Sequence, residues 1–328
     1  MIRALLVMAL TFFAPSAGAW HFFGEPSDGK IRPVQRLHDE GKIREAIAAL
    51  TPEFMATLRG TDRRQAYVLL GDNFRRMGKS DEALGSYQLG VSLFPKNVDL
   101  LVRQAIVLHE SGLNDRARPL YMRALSIEPR HWNAHQGLAE IDRDSGFMDR
   151  AAAHYEIALE SIDKRADVWR DYAEVLLRLR EYKTADLALR KALSLEPRSP
   201  DAHVLLAFAC RAQGDFDGAQ DELDLAIGLG AGIGAQRAKA LFLLEAGRGA
   251  DALEITQTIL RSAPHDAAAL WVRARLRLQR GDSAGAVREL AAIHADGNPS
   301  SFAVAAAKGL TEQINLLQQR REEAFYSR

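Results

Sequence analysis

A repeat of 34 residues constrains this chain more than any other feature of its sequence. Small and aromatic residues at fixed places between Arg64 and Pro95 return one step later, in the stretch that ends at Pro129. An alanine marks the same place in seven copies; five of the six steps between these alanines are 34 residues long and one is 33. Because a period of roughly 20–50 residues is typical of repeat architectures, this period determines the fold prediction. The marker alanines are Ala83, Ala117, Ala151, Ala185, Ala219, Ala252 and Ala286.

Each repeat is predicted to form two helices joined by a tight turn. Apolar residues at spacings of three and four in the first half of residues 64–97 indicate an amphipathic helix. Gly78 suits the left-handed conformation that ends a helix, and Ser80 is placed to cap the next one. Ala83 is small enough to let the two helices approach closely. Two such helices cannot bury their apolar faces alone, so we predict an all-α, right-handed superhelical solenoid of antiparallel helix pairs.

The predicted organisation has four parts. Residues 1–19 are expected to be a signal peptide, and residues 20–63 an N-terminal arm with a degenerate first repeat. Residues 301–328 are expected to form a helix that caps the last repeat; a coiled-coil dimer helix is the alternative. The seven regular repeats between them are predicted at 64–97, 98–131, 132–165, 166–199, 200–232, 233–266 and 267–300.

The first residues have the pattern of an export signal. Arg3 precedes a short apolar run at residues 4–14, Pro15 interrupts it, and small residues lead up to Ala19. Cleavage after Ala19 would leave Trp20 as the first residue. The alternative is a retained membrane anchor, although the run is shorter than the ~20 residues that span a bilayer. We therefore predict a periplasmic or secreted protein with no stable membrane span after cleavage.

Composition and motifs exclude several classes of function. Lys plus Arg and Asp plus Glu number 43 each, which leaves no basic excess for a nucleic-acid partner. The single cysteine, Cys210, cannot form an internal disulfide. The glycine-rich run 230–235 resembles a dinucleotide fingerprint, but a helical pattern, not a strand, precedes it. His131 and His135 stand four apart without a third ligand. We predict no catalytic residues, no metal site and no cofactor.

The landmark residues resemble the tetratricopeptide repeat family, whose pattern they follow at Tyr67, Leu70, Gly71, Tyr87 and Pro95. The resemblance covers residues 64–300 strongly and 27–63 weakly. It implies a concave groove lined by the first helix of each repeat. Apolar residues in the late part of that groove would form a binding strip, unless the C-terminal helix folds back over Trp271 and Leu278. The residues so placed in the groove are Arg75, Arg76, Arg103, His109, Glu140, Arg143, Arg170, Glu174, Arg178, Phe208, Leu241, Trp271 and Arg275.

Three positions depart from the repeat pattern. Arg180 stands where six other repeats have glycine, Asp163 replaces the closing proline of the third regular repeat, and residues 228–234 replace it in the fifth. The missing residue of spacing also falls in 228–234, so we expect the softest joint of the array there.

The resemblance implies a non-catalytic scaffold or adaptor that binds a protein or peptide. Exported relatives of the family suggest a role in assembling an envelope machine for secretion, pili, polysaccharide export or cytochrome maturation. The alternatives are a periplasmic peptide- or glycan-binding receptor and a non-catalytic subunit of an envelope enzyme. The lysines and asparagines with which some members bind a peptide's terminal carboxylate are absent, so that ligand is not expected.

Overall fold

The computed structural model describes residues 29–295, 305 and 307–316, and every regular element in this part of the chain is a helix. The predicted signal peptide, the arm at residues 20–28 and the last twelve residues lie outside the described part. Consecutive helices pack as pairs, and each pair packs on the next one within its unit. This confirms the predicted all-α architecture of stacked helix pairs.

The described residues up to 161 form the first of two compact units, unit 1. It starts with three short helices, of which α3 is capped by Thr51, whose hydroxyl accepts from the Phe54 amide. Three longer helix pairs follow: α4 with α5, α6 with α7 and α8 with α9. The bounds are α1 Arg32–Asp39, α2 Ile43–Ala49, α3 Pro52–Thr57, α4 Gly60–Arg76, α5 Ser80–Leu93, α6 Val98–Glu110, α7 Asn114–Ile127, α8 Trp132–Asp144 and α9 Met148–Ser161.

Unit 2 begins at Ile162, beside the Asp163 that replaces a closing proline. It holds four helix pairs and a further helix, α18, at residues 307–316. Residues 228–234, the expected soft joint, lie inside this unit and run from the last residue of α13 to the first two residues of α14. The bounds are α10 Ala166–Arg178, α11 Tyr182–Leu195, α12 Pro200–Ala212, α13 Phe216–Gly228, α14 Ile233–Glu245, α15 Gly249–Ser262, α16 Ala267–Gln279 and α17 Ser283–Ala295.

The turns inside the pairs use left-handed backbone. Gly78 has φ +72° and the equivalent glycines of five other repeats are similar. Arg180 keeps the same turn with φ +63°, the one positive φ at a non-glycine among the described residues. The turn geometry is therefore preserved even where the side chain disfavours it.

The core is built from small residues set against tyrosines. All seven marker alanines are fully buried, as are Tyr87 and Tyr155. A Cβ atom on Gly71 would lie 2.3 Å from Tyr87 Cε1, and one on Gly137 would lie 2.3 Å from Tyr121 Cζ. The tyrosine rings thus fill the space that these glycines leave, which sets the close approach of neighbouring helices.

The helix α18 packs on the last pair of unit 2. Ala307, Leu310 and Ile314 are buried in one apolar cluster with Leu290 and Ile293 of α17. Because α16 also contributes to that cluster, α18 covers apolar surface that the last pair would otherwise expose.

Candidate protein-binding surfaces

The first helices of neighbouring pairs lie side by side: α4 contacts α6, and α6 contacts α8, in unit 1; α10 contacts α12, and α14 contacts α16, in unit 2. We call the solvent-facing sides of these helices the first-helix surface of each unit. Every residue that the sequence assigned to a groove lies on one of these helices. The two units present these residues in different ways.

In unit 1, charged groups pair between successive first helices. Arg75 of α4 binds both carboxylate oxygens of Glu110 on α6, with Nε 2.9 Å from Oε2. In the opposite sense, Arg103 Nη1 of α6 lies 2.7 and 2.8 Å from the two oxygens of Asp72 on α4. Each pair joins residues about one repeat apart. The repeat period therefore produces a ladder of ion pairs along this surface.

The ladder continues from α6 to α8 with a histidine. His109 Nδ1 lies 3.4 Å from Glu140 Oε2, and its Nε2 lies 3.9 Å from Asp144 Oδ2. Arg143 Nε donates to Asp144 Oδ1 at 3.1 Å. The pair of Arg75 and Glu110 is exposed at both ends, and pairs of that kind contribute only about 0–1 kcal/mol.

A buried tyrosine forms a hydrogen bond with one carboxylate of this ladder. The Tyr87 hydroxyl donates to Asp72 Oδ1 at 2.5 Å. Burial raises the pKa of this phenol well above its ordinary value, and the charge of Asp72 raises it further. The phenol therefore stays protonated and serves as a permanent donor. The hydrogen bond to Glu110 raises the pKa of Arg75, so the guanidinium stays charged.

A depression of about 460 Å³ opens on the same surface where α1, α4 and α6 meet. Arg76 lies at its edge and donates to the His38 carbonyl oxygen at 3.3 Å. His38 itself is buried, and its Nδ1 lies 2.7 Å from Asn73 Oδ1. The lining residues are His38, Asp72, Arg75, Arg76, Arg103 and Glu110.

In unit 2 the predicted charged residues of α10 pair within their own helix. Arg170 donates to the adjacent Asp171 at 2.9 Å, and Arg178 donates to Glu174 at 2.7 Å. These pairs leave the groups on the surface but do not join α10 to a neighbouring helix.

An aromatic pair stands at the centre of the unit 2 surface. Phe208 of α12 is 38% exposed, and its ring meets that of the buried Phe242 edge-on, with centroids 5.2 Å apart. The Arg211 guanidinium lies 4.9 Å from the centre of the Phe242 ring and binds Glu245 through two hydrogen bonds. Leu241 is partly buried and packs against a separate apolar cluster that contains Leu243 and Val272. Phe208 is thus an apolar group held in place at the surface.

The other apolar members of the predicted strip are engaged in packing. Trp271 and Leu278 of α16 pack against the cluster that contains Leu310 and Ile314 of α18. Arg275 Nη1 donates to Gln313 Oε1 of α18 at 2.8 Å. This arrangement corresponds to the alternative in which the C-terminal helix covers the late part of the groove. Phe208 remains the exposed aromatic residue of the strip.

A ring position that recurs in three successive repeats was not predicted from the sequence. His135 Nε2, Trp169 Nε1 and His203 Nε2 each lie close to the carbonyl oxygen six residues earlier, at 2.9, 2.8 and 3.2 Å. The three residues are 34 apart in the chain. The recurrence of a ring nitrogen at the same position of the repeat is the signal that could have revealed this contact in the sequence. His135, considered above as a metal ligand, is therefore a packing residue that satisfies the carbonyl of the preceding turn.

A buried carboxylate was also missed. Asp142 is fully buried between α7, α8 and α9, with Arg118 Nη2 at 2.7 Å and Arg150 Nη2 at 3.3 Å from its Oδ1. His154 Nδ1 lies 2.9 Å from His135 Nδ1. Because His135 Nε2 must carry a proton to bind a carbonyl, its Nδ1 accepts and His154 Nδ1 donates when both rings are neutral.

Burial lowers the pKa of His154, and the nearby His135 lowers it further, against the opposing effect of Asp142. The neutral form of His154 is thus favoured in the fold. No group of three or more His, Cys, Asp or Glu side chains suited to a metal ion occurs in the described part of the chain. Among the same residues, no helix is long and apolar enough to cross a membrane.

Comparisons with solved structures agree with this architecture. A tetratricopeptide repeat protein from Parabacteroides merdae superimposes with a TM-score of 0.57 at 16% identity, covering 75% of this chain and 97% of that one. The pilF structure from Pseudomonas aeruginosa gives 0.56 at 17% identity, covering 65% and 97%. At these identities the likeness concerns the fold alone.

Curated relatives share shorter segments. Tetratricopeptide repeat protein 8 from Caenorhabditis elegans is 24% identical over 206 residues, which are 52% of this chain and 41% of that protein. Tetratricopeptide repeat protein 7B from Homo sapiens is 31% identical over 136 residues, 42% of this chain and 16% of that protein. The chain thus spans less than half the length of either relative.

Family profiles described as tetratricopeptide repeat match residues 68–135, 176–241 and 237–302. Together the matched segments make up more than half of the chain, and they fall on the helix pairs described above. The chain belongs to the tetratricopeptide repeat family.

Proposed function

We propose that this chain is a non-catalytic scaffold that binds a protein or peptide segment on its first-helix surfaces. Tetratricopeptide repeats typically bind proteins or peptides, which supports the proposal. The observation that carries it is Phe208, an exposed aromatic ring on a first-helix surface whose edge is fixed against Phe242. Rigid aromatic groups of this kind supply much of the binding energy in protein interfaces. The charged groups around it would fix the register of the bound segment.

The test compares two exposed apolar residues of unit 2. Phe208 lies on the first-helix surface, whereas Leu225 of α13 is 53% exposed on a second helix. Crosslinked proteins that co-purify with the wild-type chain should be lost with Phe208→Ala and retained with Leu225→Ala. Both variants should keep the helical circular dichroism and melting temperature of the wild type. Retention of the full set by Phe208→Ala would contradict the proposal.

A variant that replaced Trp271 together with Phe208 would be a poorer test. Trp271 packs against two apolar clusters, so its truncation removes core contacts as well as any surface contact. The same packing bears on the alternative of a glycan-binding receptor. With Trp271 engaged in packing, Phe208 is a single exposed aromatic residue on this surface, and a sugar chain needs more than one ring to stack on.

The proposed setting is the bacterial cell envelope, with the chain acting in the assembly of a secretion, pilus, polysaccharide-export or cytochrome-maturation machine. The basis is the export pattern of residues 1–19. Mass spectrometry of the protein isolated from its own cells should find Trp20 as the first residue. An intact Met1 in the envelope fraction, or a protein found in the cytoplasm, would contradict this assignment.

A further inference from the structure

The depression between α1, α4 and α6 holds an arginine that has no carboxylate partner among the residues that the structure describes. Arg76 is exposed, and its guanidinium donates to the His38 carbonyl oxygen, a neutral acceptor. Within residues 29–295, 305 and 307–316, no carboxylate oxygen lies within 4.0 Å of it. The other two arginines of the depression, Arg75 and Arg103, each hold a carboxylate through two contacts.

The acceptors in the depression are already occupied. Asp72 accepts from Arg103 and from the Tyr87 hydroxyl, and Glu110 accepts from Arg75 at both oxygens. Three guanidinium groups against two carboxylates leave one unit of positive charge, which is located on Arg76. A guanidinium presents paired N–H donors whose geometry matches a carboxylate.

We propose that Arg76 binds the side-chain carboxylate of an aspartate or glutamate in the protein segment that occupies the first-helix surface of unit 1. This inference rests on the proposed protein-binding function. The volume of about 460 Å³ suits a side chain rather than a folded domain. A single surplus charge matches a carboxylate better than a phosphate, which carries about −1.5 to −2 near pH 7. Arg75 and Arg103 are already bound to Glu110 and Asp72, so Arg76 is the guanidinium of the depression that is available to the ligand.

The test uses random 12-residue peptides displayed on phage and selected on the full chain. Peptides that bind unit 1 should share an acidic residue at one position. Changing that residue to its amide should weaken binding to the wild type about tenfold or more, since a charged hydrogen bond is removed. The Arg76→Gln variant should bind the acidic and amide peptides equally, which is the signature of a direct pair in a double-mutant cycle.

Two further variants control the experiment. Arg130 is 81% exposed in a turn away from the depression, so Arg130→Gln should leave both affinities unchanged. Glu140→Gln, on α8, reports whether a peptide uses the first-helix surface of unit 1 at all. Peptides sensitive to Glu140→Gln but without an acidic position coupled to Arg76 would overturn the inference and leave the binding function intact.

Two other results would also be decisive. If no peptide is selected, or none responds to substitutions on the first helices, the binding function and the inference are both wrong. If the acidic residue can be replaced by phosphoserine with a tenfold or greater gain that depends on Arg76, the ligand is a phosphate and the carboxylate assignment is wrong.

Discussion

A single ring position shows how the repeat satisfies its backbone with different residues. His135 and Trp169, 34 residues apart, each place a ring nitrogen near a carbonyl oxygen of the preceding turn. A hydrogen bond of this kind contributes about 0.5–1.5 kcal/mol net, which explains why a ring with an N–H suits this position. Imidazole and indole are different in size, so the shared property is the donor and not the shape.

Arg180 carries a backbone cost that glycine would remove. Its φ of +63° lies in the left-handed region, which costs a non-glycine residue about 1–2 kcal/mol. Arg180→Gly should therefore raise the midpoint of urea unfolding of the array, by the equivalent of about 1 kcal/mol. Gly146 has the same turn one repeat earlier with φ +84°, so Gly146→Arg should lower the midpoint. Equal midpoints for wild type and Arg180→Gly would show that the turn is not strained.

The lowered pKa of His154 leads us to expect that the fold loses stability in acid. Its folded pKa lies below the ordinary value of 6.5, so between the two values the unfolded chain binds more protons than the fold. The stability that the neutral ring contributes is present above about pH 6.5 and is lost as the pH falls through the folded pKa. The melting temperature of the wild type should thus fall between pH 7 and pH 5 more steeply than that of His154→Gln.

His265 supplies the matched control for that titration because it is exposed. His265→Gln should keep the wild-type dependence on pH. A His154→Gln variant with the same slope as the wild type would mean that the ring is not buried as a neutral group.

At the scale of the helix pair, small residues determine how closely the two helices approach. The marker alanines are fully buried in every repeat, and Gly71 and Gly137 lie directly beneath tyrosine rings. The period of the sequence was sufficient to predict the close approach at the marker alanines, because the same small residue returns at the same place; the contacts of Gly71 and Gly137 with tyrosine rings were not predicted. Pairing of charges between helices was not predictable, since it depends on side-chain distances that the period does not contain.

Ala117 tests the close approach of α6 and α7. It is fully buried in an apolar cluster with Ala105 and Tyr121. Ala117→Leu should destabilise the array by about 1–3 kcal/mol through overpacking, seen as a lower thermal midpoint. Ala153→Leu is the control, because Ala153 is exposed on α9 and the change should be nearly neutral. An unchanged midpoint for Ala117→Leu would contradict the tight contact.

At the scale of the whole chain, the repeat predicted the architecture, and the family resemblance predicted which helices carry the candidate surface. The covering of Trp271 and Leu278 by the C-terminal helix was only one of two alternatives at the level of sequence, because that helix lies outside the regular period; in the structure both residues pack against the cluster that includes residues of α18. The carboxylate partners of Arg75 and Arg103 also became visible only when successive first helices were placed side by side. The binding proposals rest on two exposed residues that this packing and pairing leave available. They are Phe208 in unit 2 and Arg76 in unit 1.

Site-specific photo-crosslinking tests the binding account most directly. A benzophenone amino acid would replace Phe208 on a first helix or, as the control, Leu187, which is 68% exposed on the second helix α11. After irradiation in the cells that make the protein, the account predicts a polypeptide adduct at position 208, mapped by mass spectrometry, and none at position 187. Adducts at position 187 equal to those at 208, or none at 208, would contradict binding on the first-helix surface.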